Sequence, residues 1–299
     1  MMSSTPNTEA GPAVDRLAMT LPRLAEKRRL GEPIVMITAY DFPTARIAEE
    51  AGVDIVLVGD SGAEVVLGYQ STVAVSLEEM LMLAAAVRRG LRTPLLVGDL
   101  PFGSYEASDE LAVLSAQRFV KEAGVDAVKL EGGGPASAAR ASAIVAAGIP
   151  VMGHVGLTPQ SATALGGRRA QGRTAERALE VAREARALEE AGCFAIVFEA
   201  IPAAVADELT GVLGVPTIGI GAGPGTSGQV LVVHDMLGVY PGQPKRHSRQ
   251  YADLHGQVLG ALGQYAEDVR ARRFPAAEHT FSIDPAELAA FRDGLRHER

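Results

Sequence analysis

The sequence predicts a (β/α)8 barrel of the α/β class, and three observations carry that expectation. Eight short apolar runs recur along the chain, separated by longer segments of helical character. The runs are apolar on both faces, as strands are when helices cover a parallel sheet. Eight such units over about 220 residues match the ordinary size of a closed barrel. An open, doubly wound sheet would satisfy the same alternation and stays open as an alternative.

Residues 1–20 open with "MMSSTPNTEAGPAV", rich in Ser, Thr, Pro and Gly, and are expected to be poorly ordered because little there can be buried. Residues 21–299 are expected to form one barrel domain with a C-terminal helical extension. The expected strands are "IVMITA" (34–39), "DIVLVGD" (54–60), "PLLVGDL" (94–100), "DAVKLE" (126–131), "IPVMGH" (149–154), "FAIVFE" (194–199), "VPTIGIGAG" (215–223) and "VLVVHD" (230–235). The helices between them carry their own punctuation. "SLEEMLMLAAAVRRG" has Ser76 and Glu79 in capping-box spacing and stops at Gly90, while "SDELAVLSAQRFVKEAG" starts at Ser108 and stops at Gly124. "AERALEVAREARALEEAG" runs to Gly192 in the same way. From about Val258 the chain is helical and more charged, with Asp284 as a cap and Pro285 at the first helical position. This tail reads as a packing or oligomer-contact extension.

Composition excludes several classes. Lys and Arg number 28 against 36 Asp and Glu, a net charge of -8, and aromatics make up 5% with no Trp. Neither a basic footprint nor a stacking platform for nucleic acid is present. Cys193 is the only cysteine, so no intramolecular disulfide or cysteine-rich metal site is possible. It begins an apolar run and reads as a small core residue. The N-terminus lacks the basic start and apolar stretch of a signal peptide, and no window is apolar enough to span a membrane. A soluble, cytoplasmic protein is expected.

The polar residues fall at the strand ends. "LVGD" occurs twice, ending in Asp60 and Asp99, and other expected strands end in Lys129 with Glu131, His154, Glu199 and Asp235. In a barrel these ends converge on the mouth that carries the active site. Taken singly, a strand-end carboxylate reads equally as a helix cap or loop anchor. Together, Asp60, Asp99 and Glu131 would repel and desolvate one another unless something positive sat among them. Hard oxygen donors with no paired-His motif favour magnesium over zinc, in an open site that keeps waters or substrate oxygens. His154 reads either as a backbone-bonded structural residue or as a polar contact to substrate. Glu199 follows a mostly apolar run, a setting that suits an acid or base. Asp235 reads equally well as a helix cap. The glycine-rich "GIGAGPGTSG" (219–228) lacks a P-loop ending, and Pro224 interrupts a dinucleotide fingerprint, so close backbone approach is its expected use.

The motifs "MITAYDFPTARIAEEAGVDIVLVGDS", "DLPFGSYEAS", "VKLEGG", "GHVGLTPQS", "GGRRAQGRT" and "VPTIGIGAGPGTSGQVLVVHDMLG" resemble the ketopantoate hydroxymethyltransferase family from about residue 21 to about 280, in unbroken order. The resemblance implies a (β/α)8 barrel of the phosphoenolpyruvate-binding superfamily type, magnesium dependence and a homodecamer of two pentameric rings. It implies transfer of a hydroxymethyl group from 5,10-methylenetetrahydrofolate to 3-methyl-2-oxobutanoate, giving 2-dehydropantoate on the way to pantothenate. By the same resemblance Asp60, Asp99 and Glu131 match magnesium residues, and Ser61, Asp99 and Lys129 match keto-acid contacts. Glu199 matches the catalytic acid/base, and His154 matches a pocket-lining residue. The chain departs from the family pattern at Gly62, Ala63 and Glu64, and at Gln70 and Ala74.

Rival readings are a magnesium-dependent 2-oxo-acid lyase or aldolase of the same superfamily and a non-catalytic keto-acid-binding barrel. The lyase signature of the "KKCGH" type is absent, and Glu199 supplies the base that a binding protein would not need. A nicotinamide-dependent oxidoreductase fails with the dinucleotide fingerprint.

Overall fold

The computed structural model describes residues 16–164, 166–167, 169–241 and 247–298. In chain order the elements are α1 (Leu21–Leu30), β1 (Ile34–Thr38), α2 (Phe42–Ala51), β2 (Ile55–Val58), α3 (Gly62–Val65), α4 (Leu77–Gly90), β3 (Leu95–Asp99), α5 (Asp109–Arg118), β4 (Ala127–Lys129) and α6 (Pro135–Ala146). There follow β5 (Val151–Gly156), α7 (Ala175–Glu190), β6 (Ala195–Glu199), α8 (Ala203–Val212), β7 (Thr217–Ile220), β8 (Gly228–Leu231), α9 (Val233–Leu237), α10 (Leu254–Arg270) and α11 (Pro285–His297).

The strands pair in sequence order and in parallel, and β8 returns to β1 to close the barrel. Closure rules out the open doubly wound sheet. Along each strand the side chains alternate between two layers, as a period of two requires. Ile55 and Leu57, Leu95 and Val97, and Ala195 and Val197 fill the barrel interior with Met36, Met152, Ile218 and Val230. Leu24 of α1 joins this interior set. The alternate residues, such as Val56, Val58, Leu96, Ile196 and Phe198, pack outward against the helices.

The sequence punctuation is realised locally. Ser76 and Glu79 form a reciprocal capping box at α4, Ser108 caps α5, and Asp284 caps α11 with Pro285 in its first turn. After α5 the helix widens into a π turn over Phe119–Ala123 and ends at Gly124, whose φ of 70° suits glycine. Phe119 then packs against Gly98, where a Cβ would collide with its ring. Leu188 lies against Gly153 in the same way, 2.7 Å from where a Cβ would stand. These two glycines let helices press on the outside of β3 and β5 next to Asp99 and His154.

Of the segment 1–20, residues 1–15 lie outside the described residues; in the remainder, Met19 N–H donates to the Thr93 carbonyl at 2.7 Å, and Thr20 caps α1. One expectation needs correction. The eighth strand is Gly228–Leu231, not 230–235. Val233 begins α9, and Asp235 lies in the first turn of that helix, where a carboxylate suits the positive helix end. Among the described residues no helix is long and apolar enough to cross a membrane.

Candidate active site

The inward series of each strand continues past the apolar core into polar residues at the C-terminal mouth. On β3 it runs Leu95, Val97, Asp99; on β4, Ala127 and Lys129, then Glu131 beyond the strand; on β5, Met152 and His154; on β6, Ala195, Val197, Glu199. Lys129 and Glu131 therefore share a side of the chain because both follow Ala127 at intervals of two. Register does the rest, since Asp99 is the direct partner of Lys129 across the β3–β4 ladder. Asp60 and Ser61 arrive differently, from the turn after β2.

These groups line one cavity of about 1030 Å³ at the mouth, together with Thr38, Glu64, Thr72 and Asp235. Asp60, Asp99, Lys129, Glu131 and His154 are buried, and Glu199 keeps 17% of its side chain exposed. Lys129 Nζ donates to both oxygens of Asp99, at 2.7 and 2.8 Å, and approaches Glu131 Oε1 at 4.0 Å. Burial opposes the charge of Lys129, but Asp99, Glu131 and Asp60 outweigh it and hold the ammonium above the usual lysine range. The backbone N–H of Asp60 donates to Asp99 Oδ2 at 3.2 Å. Burial, then the like charges of Asp99 and Glu131, push the Asp60 carboxyl up to about 8.

His154 stands between two carboxylates, with Nδ1 3.5 Å from Glu131 Oε1 and Nε2 3.4 Å from Glu199 Oε2. Neither ring nitrogen makes a formed hydrogen bond, so the contacts are ionic approaches. Burial and Lys129 work against a proton on the ring, yet the two carboxylates carry its pKa up to about 9. The imidazolium offsets part of the negative charge at the mouth. Ser61 is held by Tyr40, whose hydroxyl lies 2.8 Å from Ser61 Oγ. At the departures from the family pattern, Gly62 and Ala63 are buried in α3 and Glu64 lines the cavity. A Cβ on Gly62 would stand 2.9 Å from the Tyr40 ring, so glycine there permits the Tyr40–Ser61 contact.

Whether this pocket suits magnesium is a question of charge and donors. Asp60, Asp99 and Glu131 outnumber the ammonium buried with them, and the like charges of Asp99 and Glu131 add to burial in raising the Asp60 carboxyl. Asp60 and Asp99 are hard oxygen donors side by side, which fits a cation that keeps several waters. Glu131 fits less directly. Its Oε2 accepts from Gln160 N–H at 2.9 Å and its Oε1 faces His154. Among the described residues no three of His, Cys, Asp and Glu stand together as a ready ligand set. All three carboxylates of the expected set have partners within the site: Asp99 holds Lys129, Asp60 Oδ2 accepts from Gln160, and Glu131 faces Gln160 and His154.

Gln160 is the main residue that sequence reasoning did not single out. From the loop after β5 its Nε2 donates to Asp60 Oδ2 at 3.1 Å and to the Leu100 carbonyl at 3.0 Å, and its Oε1 accepts from Tyr105 at 2.7 Å. Tyr105 in turn accepts from Glu131 N–H at 3.2 Å. The signal was present in "GLTPQS" and "GSYEAS", next to the polar strand ends, but a neutral amide and a phenol carry no charge to betray a role. Ala200, immediately after Glu199, adopts a φ of 50°, a strained conformation of the kind that gathers at functional sites.

The family model described as ketopantoate hydroxymethyltransferase matches residues 18–277. A 3-methyl-2-oxobutanoate hydroxymethyltransferase of Oleidesulfovibrio alaskensis is 51% identical over 295 residues, covering 98% of each chain. The mitochondrial enzyme 1 of that name from Oryza sativa subsp. japonica is 50% identical over 284 residues, 93% of this chain and 78% of the rice protein. Among solved structures, phosphonopyruvate hydrolase superposes with a TM-score of 0.58 at 14% identity, over 94% of this chain and 97% of that one. A 2,3-dimethylmalate lyase of the PEP mutase/isocitrate lyase superfamily does so with a TM-score of 0.58 at 15% identity, over 94% and 95%. At such identities the structures share the barrel alone, whereas the sequence matches run nearly end to end: the chain belongs to the ketopantoate hydroxymethyltransferase family.

Proposed function

We propose that the protein transfers a hydroxymethyl group from 5,10-methylenetetrahydrofolate to 3-methyl-2-oxobutanoate, giving 2-dehydropantoate through an enolate of the keto acid. The observation that carries this reading is the run of charged groups along one cavity, from Asp60, Asp99 and Lys129 through Glu131 and His154 to Glu199.

Magnesium, which this reading requires, would be held by Asp60 and Asp99 and would supply Lewis-acid polarisation of the ketone, worth several kcal/mol in the transition state. Lys129, fixed on Asp99, offsets the negative charge that develops on the keto acid. Ser61, oriented by Tyr40, offers its hydroxyl to the same substrate. Glu199 removes the C3 proton, and its partly open setting leaves it access to substrate. His154, with Nε2 3.4 Å from Glu199 Oε2, positions that carboxylate at the cavity. Water breaks the two C–N bonds of the donor, releasing tetrahydrofolate and the one-carbon unit at the level of formaldehyde, and the nucleophilic C3 attacks that carbon while its oxygen takes up the proton held by Glu199 to become the hydroxymethyl group.

The protein is further proposed to act as a homo-oligomer, the decamer implied by the resemblance. The C-terminal helices support this. Neither α10 nor α11 buries a single residue, yet they expose Leu259, Leu262, Tyr265, Phe291 and Leu295. Apolar helix faces of that extent ordinarily mark a contact surface.

Mass spectrometry of the keto acid incubated with enzyme, magnesium and the folate donor tests the reaction. 2-Dehydropantoate should accumulate, with one tetrahydrofolate released per product. Absence of product with both substrates present contradicts the reading.

A further inference from the structure

The cavity is several times larger than a five-carbon keto acid can fill, and its exposed lining differs in charge from its buried lining. Its buried lining carries Asp60, Asp99 and Glu131 against Lys129 and His154, with Glu199, Glu64 and Asp235 half-buried, whereas the exposed part of the lining carries Arg169 and Arg173. Both arginines are exposed. In contrast to Arg177, which pairs with Glu180 one turn along α7, neither meets an acidic partner among the described residues.

The segment that bears them is tied to the chain beside Glu199. Gln171 N–H donates to the Ala200 carbonyl at 3.0 Å, one residue beyond Glu199. Its side chain donates to the Arg169 carbonyl at 3.0 Å. Thr174 then caps α7, accepting from Arg177 N–H. Two guanidiniums with no acidic partner among the described residues thus stand at a set distance along the chain from the proposed base.

We infer that Arg169 and Arg173 form a carboxylate-binding subsite for the glutamate tail of the folate donor. The inference rests on the reading of the donor given above. A tail carboxylate is repelled by the acidic buried lining and attracted by the exposed arginines, so the charge pattern orients the donor with its neutral one-carbon end inward. Guanidinium suits the task because it can meet a carboxylate through two parallel N–H groups. Each added glutamate brings one more carboxylate into reach of the pair.

Steady-state kinetics with monoglutamyl and triglutamyl 5,10-methylenetetrahydrofolate test this, using wild type, the double variant R169A/R173A, the double variant R169K/R173K and the exterior control R183A. The alanine pair should raise KM for the monoglutamyl donor about threefold and for the triglutamyl donor about tenfold or more, with kcat changed less than about twofold. The lysine pair should recover most of the loss, and R183A should match wild type. Added salt should weaken the triglutamyl preference of wild type. Equal effects on both donors, or a loss confined to kcat, would overturn the subsite. Exchange of the keto-acid C3 proton in donor-free heavy water separates the two failures. A wild-type enzyme that cannot exchange defeats the proposed function; one that exchanges but shows no tail dependence defeats the subsite alone.

Discussion

Gln160 and Asp60 are 100 residues apart in sequence, and the side-chain amide of the first donates to the carboxylate of the second at 3.1 Å. The same amide also binds Leu100 and Tyr105, and the Gln160 backbone N–H binds Glu131. One buried neutral residue therefore sets the aim of two of the acidic groups at the mouth. Replacing Gln160 with Met keeps the bulk and removes every side-chain hydrogen bond. Each polar group left unpaired costs about 1–3 kcal/mol, so Q160M should melt lower. Its turnover should fall more than tenfold, with roughly 1.4 kcal/mol of barrier per tenfold. A melting curve and a kcat measured on the folded fraction check both parts.

Lys129 shares the buried positive charge of the mouth with His154 and is tied to Asp99 by two bonds. Removing one partner of a buried pair leaves the other uncompensated, at about 3–5 kcal/mol. K129M should therefore be strongly destabilised and inactive. The double variant K129M/D99N should regain part of the stability without regaining activity. Denaturant melts of the two variants against wild type measure the difference.

Cys193 tests the packing behind β6. Burial pushes its thiol from 9.0 up to about 12. A raised folded pKa means that the neutral thiol is favoured in the native state. The associated stability is present below pH 9 and lost as the pH rises towards 12. Between pH 8 and 10.5 wild type should lose about 2 kcal/mol more than C193A. Thiol reagents should label native protein only through unfolding.

The exposed faces of α10 and α11 predict the assembly. L262D places a charge in the middle of the apolar face, where Leu262 is 61% exposed in the single chain. Sedimentation should show wild type as a large assembly and L262D as smaller species. Unchanged sedimentation would show that this face is not a contact.

Much of this was legible in the sequence, for reasons that can be named. Strand and helix periods differ, so the eight-fold alternation survives reading along the chain. Ser76 with Glu79, and Asp284 with Pro285, mark helix starts because a cap is a local interaction. Asp99, Lys129, His154 and Glu199 were visible because a charge at the end of an apolar run needs a reason. Gln160 and Tyr105 stayed hidden, since their roles lie in partners 55 and 100 residues away. The end of β8 was misplaced because "VLVVHD" is apolar enough for either a strand or the short helix that takes over at Val233. The pairing of the carboxylates, with Glu131 turned to Gln160 and His154, depends on side-chain orientation that residue type does not encode.

The most direct test of the account is exchange of the C3 proton of 3-methyl-2-oxobutanoate in heavy water, followed by proton NMR, for wild type and E199Q with magnesium and without folate. The account predicts exchange by wild type. In E199Q it predicts exchange slower by about 100-fold or more, with keto-acid affinity changed less than about threefold. Equal exchange rates in the two proteins would contradict Glu199 as the base and with it the enolate route on which the proposed function rests.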